Sequence, residues 1–166
     1  YAVITGHLVL TTLPTCDAAT TLKRMTDIGA EPFLIGDATR LVLSQRLLRK
    51  LCPHCARPST PPAEQLAQAE QIARAGGLDW DALPRTFREP VGCPRCHGLG
   101  LSGRTATVEA LEMSPAIGAA LMRQASVQEL QTLAIRQGLV PLAAHGIQRA
   151  AAGEVSLAEA LAMARF

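Results

Sequence analysis

The sequence predicts an α/β protein in which a cysteine-rich insertion separates two strands and a helical segment follows the second strand. Three observations lead to this fold class. Residues 2–13 and 103–111 are short, apolar and β-branched, which favours strands. Two Cys-x-x-Cys pairs lie between these stretches, and the residues after Ser114 carry repeated signals for helix starts and stops. The predicted order is therefore strand, helices, insertion, strand and helical bundle.

The composition is that of a folded protein with little net charge. Apolar residues make up 48% of the 166 residues and charged residues 18%, which suffices for one domain or two small ones. A net charge of +2 and an aromatic content of 3% argue against a nucleic-acid partner, which would require a basic stripe and stacking side chains. No apolar run approaches the roughly 20 residues that span a bilayer, and no secretory leader opens the chain. Nothing in the sequence therefore suggests secretion. Because the chain begins with Tyr1 inside a predicted strand rather than with Met, we expect it to be a piece of a longer protein.

The first third of the chain carries both strand and helix signals. Residues 2–13 predict a buried strand, after which Asp17 caps a helix that Gly29 ends. A second helix is expected to begin at Pro32, because proline suits the first turn of a helix. From residue 41 onward the pattern leaves helix and strand open.

Several prolines mark a change of composition after residue 52, and a polar helix is predicted over residues 63–75. The irregular stretch that follows carries large apolar side chains that we expect to form a small satellite core: Leu78, Trp80, Leu83 and Phe87. Beyond Ser114, capping boxes at Ser126–Glu129 and Ser156–Glu159 start two of about four short helices. We expect these helices to pack as one bundle.

Four cysteines in two Cys-x-x-Cys turns predict a metal site. Cys52 and Cys55 form the first turn, Cys93 and Cys96 form the second, and 37 residues separate the two turns. Each turn directs two sulfurs toward one point, so that two turns complete a tetrahedral shell around Zn²⁺. Because four thiolates leave no open coordination position, this zinc would be structural rather than catalytic.

The neighbours of these cysteines suit a zinc–thiolate centre. Glycines after the second pair allow backbone N–H groups to approach the sulfurs closely: Gly98, Gly100 and Gly103. Four thiolates around one zinc ion leave a net charge of −2, and the cations next to the ligands in sequence can offset it: Arg49, Lys50, Arg57 and Arg95.

Other interpretations of the cysteines are open at this point. The four thiols could instead form two disulfides or be unrelated buried residues, and His54 or His97 could replace one sulfur as a ligand. The shared local chemistry of the two turns favours zinc with four sulfur ligands. The fifth cysteine, Cys16, is expected to be an ordinary small residue rather than a nucleophile.

Residues 5–13, which read TGHLVLTTL, resemble the histidine box of the ATPases that drive type II secretion and type IV pilus assembly. That box typically reads GHLVLSTLHTNDA. Further segments of the chain resemble the same family in the same order: residues 31–35, 45–53, 103–109 and 153–161. The likeness therefore covers nearly the whole chain, and no single segment carries it alone.

The resemblance implies the C-terminal part of a RecA-like ATPase core, with the zinc module inserted between core strands over residues 43–51 and 104–111. The implied domains are residues 1–51 for the core, 52–102 for the zinc module, 103–113 for the returning strand and 114–166 for a helical subdomain. The parent protein would be a homo-hexamer that hydrolyses ATP with Mg²⁺ at the cytoplasmic face of the inner membrane. Its partners would be a membrane platform protein and a membrane adaptor.

The phosphate-binding loop of this family, which ends in Gly-Lys-Ser or Gly-Lys-Thr, does not occur in these 166 residues. Such a loop supplies the backbone N–H groups and the lysine that hold the phosphates of ATP. We therefore expect the chain alone neither to bind nor to hydrolyse ATP.

The chain departs from the family pattern within the histidine box. Where the family has a second histidine followed by Thr-Asn, this chain has Pro14, Thr15 and Cys16. His7 keeps the first position of the box, and the resemblance makes it a candidate for sensing or polarising the γ-phosphate. The alternative is that His7 is an ordinary structural histidine.

Four arginines are candidates for contacts to a neighbouring subunit or its nucleotide. Arg46 and Arg104 come first because they lie in matched segments, ahead of Arg24 and Arg40. Most arginines in such a chain would instead be solvated or form weak local ion pairs.

Two other functions compete with the motor ATPase. A free-standing, zinc-stabilised protein-interaction module would share the cysteine turns but not the histidine box. A zinc-ribbon nucleic-acid binder is disfavoured by the charge and the aromatic content. Within the ATPase family, the cysteine module agrees with secretion and with pilus assembly, whereas pilus retraction motors generally lack it.

Overall fold

The computed structural model describes residue 3 and residues 5–164 and shows a mixed α/β protein. The described part forms seven α-helices: Ala18–Asp27 (α1), Pro32–Ala38 (α2), Ala63–Ala75 (α3), Pro115–Met122 (α4), Val127–Arg136 (α5), Leu142–Ala151 (α6) and Leu157–Met163 (α7). Its strands are Leu41–Leu51 (β1), Arg57–Pro58 (β2), Arg88–Glu89 (β3) and Leu101–Glu112 (β4). β1 pairs with β4, and β2 pairs with β3 in antiparallel orientation. The stretch from residue 41, for which the sequence left helix and strand open, is a strand.

The chain divides into two compact units. Unit 1 comprises Tyr1–Ser44 and Glu109–Leu139, and unit 2 comprises Gln45–Val108 and Val140–Phe166. Helices α4 and α5 belong to unit 1, whereas α6 and α7 belong to unit 2. The four helices after Ser114 were correctly predicted, but the expectation that they form one bundle is wrong, because each pair packs into a different core.

Unit 1 confirms the two predicted helices of the first third. Asp17 caps α1, since its carboxylate accepts a hydrogen bond from the backbone N–H of Thr20 at 2.7 Å. Gly29, with φ of 95°, follows the last turn of this helix, and Pro32 starts α2 as expected. The core of unit 1 consists of aliphatic side chains that include Leu22, Ile35, Leu111, Ile117 and Leu130.

The predicted opening strand is not formed in its described part. Among the described residues up to position 13, none belongs to a strand, and the side chains of Leu8 and Leu10 are 89% and 88% exposed. Ala2 and Ile4, which the prediction included, lie outside the described residues. A buried strand requires hydrogen-bonding partners on both sides, and no described strand pairs with this segment.

Unit 2 has its own aliphatic and aromatic core. Helix α3 covers the predicted residues, and Gly76 follows its last residue, Ala75. Trp80 and Phe87 are buried, with ring centroids 6.4 Å apart, and they pack in one cluster with Leu48 and Ile147. The side chains predicted to form a satellite core are therefore part of the main core of this unit.

Helices α6 and α7 satisfy backbone groups of the long strands within unit 2. The N–H of Arg49 donates to the Glu159 carboxylate at 3.1 Å, and the N–H of Leu51 donates to the carbonyl of Glu154 at 3.0 Å. On β4, the N–H of Val108 donates to Nδ1 of His145 at 3.0 Å. These contacts pair strand groups that an open edge would leave unsatisfied.

The predicted capping boxes are half formed. The hydroxyls of Ser126 and Ser156 accept hydrogen bonds from the N–H groups of Glu129 and Glu159, as predicted. The carboxylate of Glu159, however, is bound to Arg49.

In the described part of the chain, no helix has the length and hydrophobicity required to cross a bilayer.

Candidate metal centre

The two cysteine turns lie where the long strands β1 and β4 meet the inserted segment. Cys52 directly follows β1, and its N–H donates to the carbonyl of Gly100, the residue before β4, at 2.9 Å. The second turn is a short 3₁₀ helix over Pro94–Cys96 that ends at His97, whose φ of 51° is in the left-handed region. Strand pairing and turn geometry thus bring two sequence-distant turns to one place.

The four sulfurs of Cys52, Cys55, Cys93 and Cys96 form one cluster in which all Sγ atoms lie within 4.8 Å of one another. The Sγ–Sγ distances are 4.0 Å for Cys52 and Cys93, 3.8 Å for Cys55 and Cys96, and 3.7 Å for Cys93 and Cys96. A tetrahedral site with metal–sulfur bonds of about 2.3 Å has edges of about 3.8 Å. The donor set and its spacing therefore fit a metal ion held by four thiolates.

The same distances decide among the interpretations that the sequence left open. A disulfide requires sulfurs about 2.05 Å apart, so the two-disulfide interpretation does not fit, and the four thiols are free. Among the described residues, the cluster contains neither His54 nor His97. The ring of His54 instead lies 3.2 Å from the guanidinium of Arg95. Cys16 is exposed, and its thiol lies beside the carboxylate of Asp17.

Backbone N–H groups stabilise negative charge on two of the sulfurs. The N–H groups of Cys93 and Gly100 donate to the sulfur of Cys96 at 3.2 and 3.1 Å, and the N–H of Gly92 donates to Cys55 at 3.3 Å. The role predicted for Gly100 is confirmed. The N–H of Gly98 instead donates to the carbonyl of Cys93. Gly92 was missed, although its position directly before a ligand was a usable signal.

The thiols of Cys55 and Cys96 differ in their pKa. Burial raises the pKa of the Cys55 thiol to about 11, against a smaller effect of the Gly92 N–H. Burial also opposes ionisation of Cys96, but the N–H donors of Cys93 and Gly100 outweigh it and lower the pKa of Cys96 to about 6. A bound cation deprotonates such coordinating thiols outright, which turns the cluster into four anionic ligands.

Glycine is required at Gly92 because of a close backbone approach. Its φ is 109°, and a Cβ at this position would lie 2.5 Å from the carbonyl oxygen of Gly98. Any side chain would therefore push apart the two ends of the turn that carries Cys93 and Cys96.

The predicted offset of the cluster charge by neighbouring cations is wrong for Arg49. Its guanidinium binds the carboxylate of Glu159, with 2.7 Å between Nη2 and Oε2. Lys50 and Arg57 are exposed. Backbone N–H groups of the described residues donate to two of the sulfurs, and these hydrogen bonds stabilise part of the negative charge.

The other predicted site residues lie outside this cluster. His7 is exposed, and its Nδ1 lies 3.0 Å from the hydroxyl of Thr5. Arg46 on β1 is half-buried, and its backbone carbonyl accepts a hydrogen bond from Thr107. Arg104 on β4 is exposed. The roles assigned to these residues stay predictions.

Glu109 was not singled out by the sequence. It lies on β4 with only 2% of its surface exposed, and its Oε1 accepts a hydrogen bond from the N–H of Ala18 at 2.9 Å. The signal in the sequence was its spacing along the predicted strand. Glu109 lies two residues from Thr107 and two from Leu111, so all three share one face of the strand, and that face is buried.

Comparison with known proteins gives a consistent result along the whole chain. The type II secretion system protein E of Aeromonas hydrophila is 36% identical over 164 residues, which are 99% of this chain and 31% of that protein. The type IV pilus assembly ATPase PilB of Myxococcus xanthus is 38% identical over 159 residues, 95% of this chain and 27% of the relative. The type IV pilus assembly ATPase TfpB of Acinetobacter baylyi is 36% identical over 161 residues, 96% of this chain and 26% of the relative.

The chain thus spans between a quarter and a third of the length of these relatives. The sequence profile described as "Type II/IV secretion system protein" matches residues 1–162, which include the cysteine cluster and both long strands. The chain belongs to the type II/IV secretion system protein family.

Proposed function

We propose that this chain is the C-terminal portion of a hexameric motor ATPase that powers type II protein secretion or type IV pilus assembly. The observation that carries the proposal is the family match along residues 1–162. Relatives named as pilus assembly ATPases are 36% and 38% identical to the chain. A relative named for type II secretion is equally similar, so these identities favour neither secretion nor pilus assembly.

The structure supports a structural zinc ion in this proposal. Cys52, Cys55, Cys93 and Cys96 would hold Zn²⁺ as four thiolates, and a closed sulfur shell leaves no position for a reacting water. The ion would join the end of β1 to the start of β4. This chain's own groups would orient the ligands, through the N–H donors of Gly92, Cys93 and Gly100.

The catalytic part of the proposal concerns the parent protein. The long strands β1 and β4 would belong to its RecA-like core, and the cysteine module would be inserted between them. ATP and Mg²⁺ would bind to the phosphate loop and acidic residues elsewhere in the parent, whereas His7 would act near the γ-phosphate. Arg46 and Arg104 would contact the neighbouring subunit or its nucleotide. The parent would work at the cytoplasmic face of the inner membrane with a platform protein and an adaptor.

The decisive experiment compares the full-length parent with the isolated chain. We expect the purified parent to hydrolyse ATP with Mg²⁺, and the isolated chain to show neither turnover nor tight nucleotide binding, because these 166 residues contain no phosphate-binding loop. Sedimentation should show a hexamer for the parent only. A parent without ATPase activity would contradict the proposal, as would an isolated chain that hydrolyses ATP after contaminating enzymes are removed.

The role of His7 is tested separately in the parent. If His7 stabilises the transition state, His7→Ala lowers kcat by about 10²–10³-fold and leaves the affinity for ATP nearly unchanged. Pro14→His, which restores the family pattern, is expected to leave the activity unchanged or to raise it. A His7→Ala protein that keeps full turnover but melts earlier would show that His7 is structural.

A further inference from the structure

The buried carboxylate of Glu109 contacts the end of the histidine-box segment. The family pattern of this box ends in Asp-Ala, which Asp17 and Ala18 match here. The N–H of Ala18 donates to Oε1 of Glu109 at 2.9 Å, and both residues belong to unit 1. Ninety-one positions separate them in sequence, so the contact ties the box to the strand that follows the cysteine module.

A buried carboxylate is costly unless it receives hydrogen bonds, and the start of a helix provides them. Helix α1 begins at Ala18, where backbone N–H groups lack helical partners and the helix dipole favours negative charge. Two carboxylates divide these donors, since Asp17 accepts from the N–H of Thr20 while Glu109 accepts from that of Ala18. The helix start cannot move away from β4 without removing this hydrogen bond from the buried Glu109 carboxylate.

A second set of contacts fastens the same end of the box. The hydroxyl of Thr21 donates to the backbone carbonyl of Asp17 at 2.8 Å and lies 2.6 Å from the hydroxyl of Thr15. The upstream part of the segment is different: Leu8 and Leu10 are highly exposed and belong to no regular element. The described contacts therefore fasten the downstream end of the box within unit 1.

We infer that Glu109 is a positioning residue that fixes the end of the histidine box on β4 and thereby places His7 for ATP hydrolysis. The inference rests on the proposed function. Glu109 touches neither nucleotide nor water in this role, and acts through the backbone of Ala18. A displacement of about 1 Å in a catalytic segment can lower a rate by about 10²-fold. Loss of the Glu109 carboxylate should therefore reduce turnover more than ATP binding.

The test uses the full-length parent and compares Glu109→Ala with Glu112→Ala. Glu112 lies on the same strand and is exposed, which makes it a matched control. We expect Glu109→Ala to lower kcat by at least about tenfold, with KM for ATP changed by less than about threefold. Glu112→Ala should match the wild type. Glu109→Gln, which keeps an oxygen that can accept from Ala18, should restore kcat to within about threefold of the wild type.

A double-mutant cycle separates positioning from general stability. If Glu109 acts through the box, Glu109→Ala combined with His7→Ala should lower kcat no further than His7→Ala alone. A merely structural role would reduce the melting temperature and the yield but leave kcat per folded enzyme intact. The inference is overturned if folded Glu109→Ala turns over as fast as Glu112→Ala, or if its effect multiplies with that of His7→Ala.

Thr21→Val provides an independent variant in case Glu109→Ala does not yield folded protein. It replaces the hydroxyl that fastens Thr15 and Asp17 with a methyl group of similar size, and we expect a severalfold loss of kcat at unchanged KM. Unchanged turnover in folded Thr21→Val would contradict the inference. Absence of ATPase activity in the wild-type parent would instead contradict the proposed function, so the two failures are distinguishable.

Discussion

Each unit has its own core, but unit 1 exposes more large apolar side chains than unit 2, where the exposed ones among the described residues are Leu47, Val91 and Leu99. In unit 2 the cysteine cluster, the ring pair of Trp80 and Phe87, and the edge contacts of α6 and α7 all lie within the unit. Unit 1 has a compact aliphatic core but exposes large apolar residues at the box segment, α2 and the start of β1: Leu8, Val9, Leu10, Phe33, Leu41 and Leu43.

The difference indicates which part of the chain depends on other protein. Contiguous exposed apolar patches are typical of contacts with other protein surfaces. Unit 1 carries the histidine box, and under the proposed function it would complete its surface against the remainder of the parent ATPase. Unit 2 has, in addition to its core, a four-cysteine cluster that could hold a metal ion. Changes in the chain should therefore affect the two units differently.

The largest expected effect is that of losing the metal ion. Cys96→Ser should abolish stoichiometric zinc binding and expose the inserted segment of unit 2 to hydrogen exchange, while unit 1 keeps its protection. Structural zinc contributes about 10–16 kcal/mol in small zinc domains, and the separate core of unit 2 reduces the loss here. Metal analysis and hydrogen exchange measure both effects.

Cys16→Ser is the matched control, since Cys16 is exposed and outside the cluster. It should keep one zinc ion per chain. Wild-type protein with well under half an equivalent of zinc after purification without chelators would contradict the site, and equal opening of both units in Cys96→Ser would contradict their independence.

Cavities in the two cores test whether the units unfold separately. Ile147→Ala in unit 2 and Leu130→Ala in unit 1 each truncate a fully buried side chain, so each should lower the free energy of unfolding by about 2–5 kcal/mol. We expect hydrogen exchange to accelerate mainly in the unit that carries the change. Equal acceleration in both units for both variants would show that they unfold as one.

Two glycine-to-alanine replacements compare a tightly packed position in unit 2 with a position in unit 1 that has room for a methyl group. In Gly76→Ala the new Cβ would lie 2.4 Å from Cβ of Ala144, so we expect a loss of about 1–3 kcal/mol in the free energy of unfolding. Gly36→Ala is the control, because its nearest new contact is 3.6 Å away and alanine favours helix. Denaturant titration should show Gly36→Ala unchanged or stabilised; a stabilised Gly76→Ala would contradict the packing.

The smallest effect is expected from the ion pair on unit 2. Hydrogen bonds from the Arg49 guanidinium, against opposing burial, lower the pKa of Glu159. Because the pKa of Glu159 is lower in the folded protein than in the unfolded chain, its ionised carboxylate stabilises the fold at pH values above the unfolded carboxyl pKa of about 4.3. This contribution is lost as the pH falls through the pKa of the folded state. Glu159→Gln should therefore be less stable than the wild type at neutral pH and approach it in acid.

The pH dependence is measured as the difference in unfolding free energy between these two proteins, which share the same thiols and so the same acid-induced loss of metal. Glu154→Gln is the control, since the side chain of Glu154, which pairs with Arg149, is 42% exposed, against 17% for Glu159. A difference between wild type and Glu159→Gln that does not shrink in acid would contradict the assignment.

Local signals in the sequence predicted much of this structure. The caps at Asp17, Ser126 and Ser156 involve residues within three positions of each other, so their chemistry is readable from short segments. The cysteine turns are also local, and two Cys-Pro-x-Cys turns predict a shared metal ion even when the path of the chain between them is unknown.

The errors have non-local causes. The expected opening strand depends on neighbouring strands that the described chain does not provide, and the division of four helices between two units depends on which core each helix meets. Arg49 was assigned to the zinc charge because it is close in sequence, but Glu159, 110 positions away, binds it. Glu109 was overlooked for the same reason, since its partner Ala18 is distant in sequence.

Helix α6 has a consequence for the temperature dependence of unit 2. Its buried face is formed largely by small residues that include Ala144, Gly146, Ala150 and Ala151. Alanine and glycine have no side-chain rotamers to lose, so docking this helix costs little ordering entropy beyond that of its backbone. Small residues also bury little apolar area, and the heat capacity of unfolding grows with that area. The stability that α6 contributes should therefore change less steeply with temperature than that of a helix docked through large side chains.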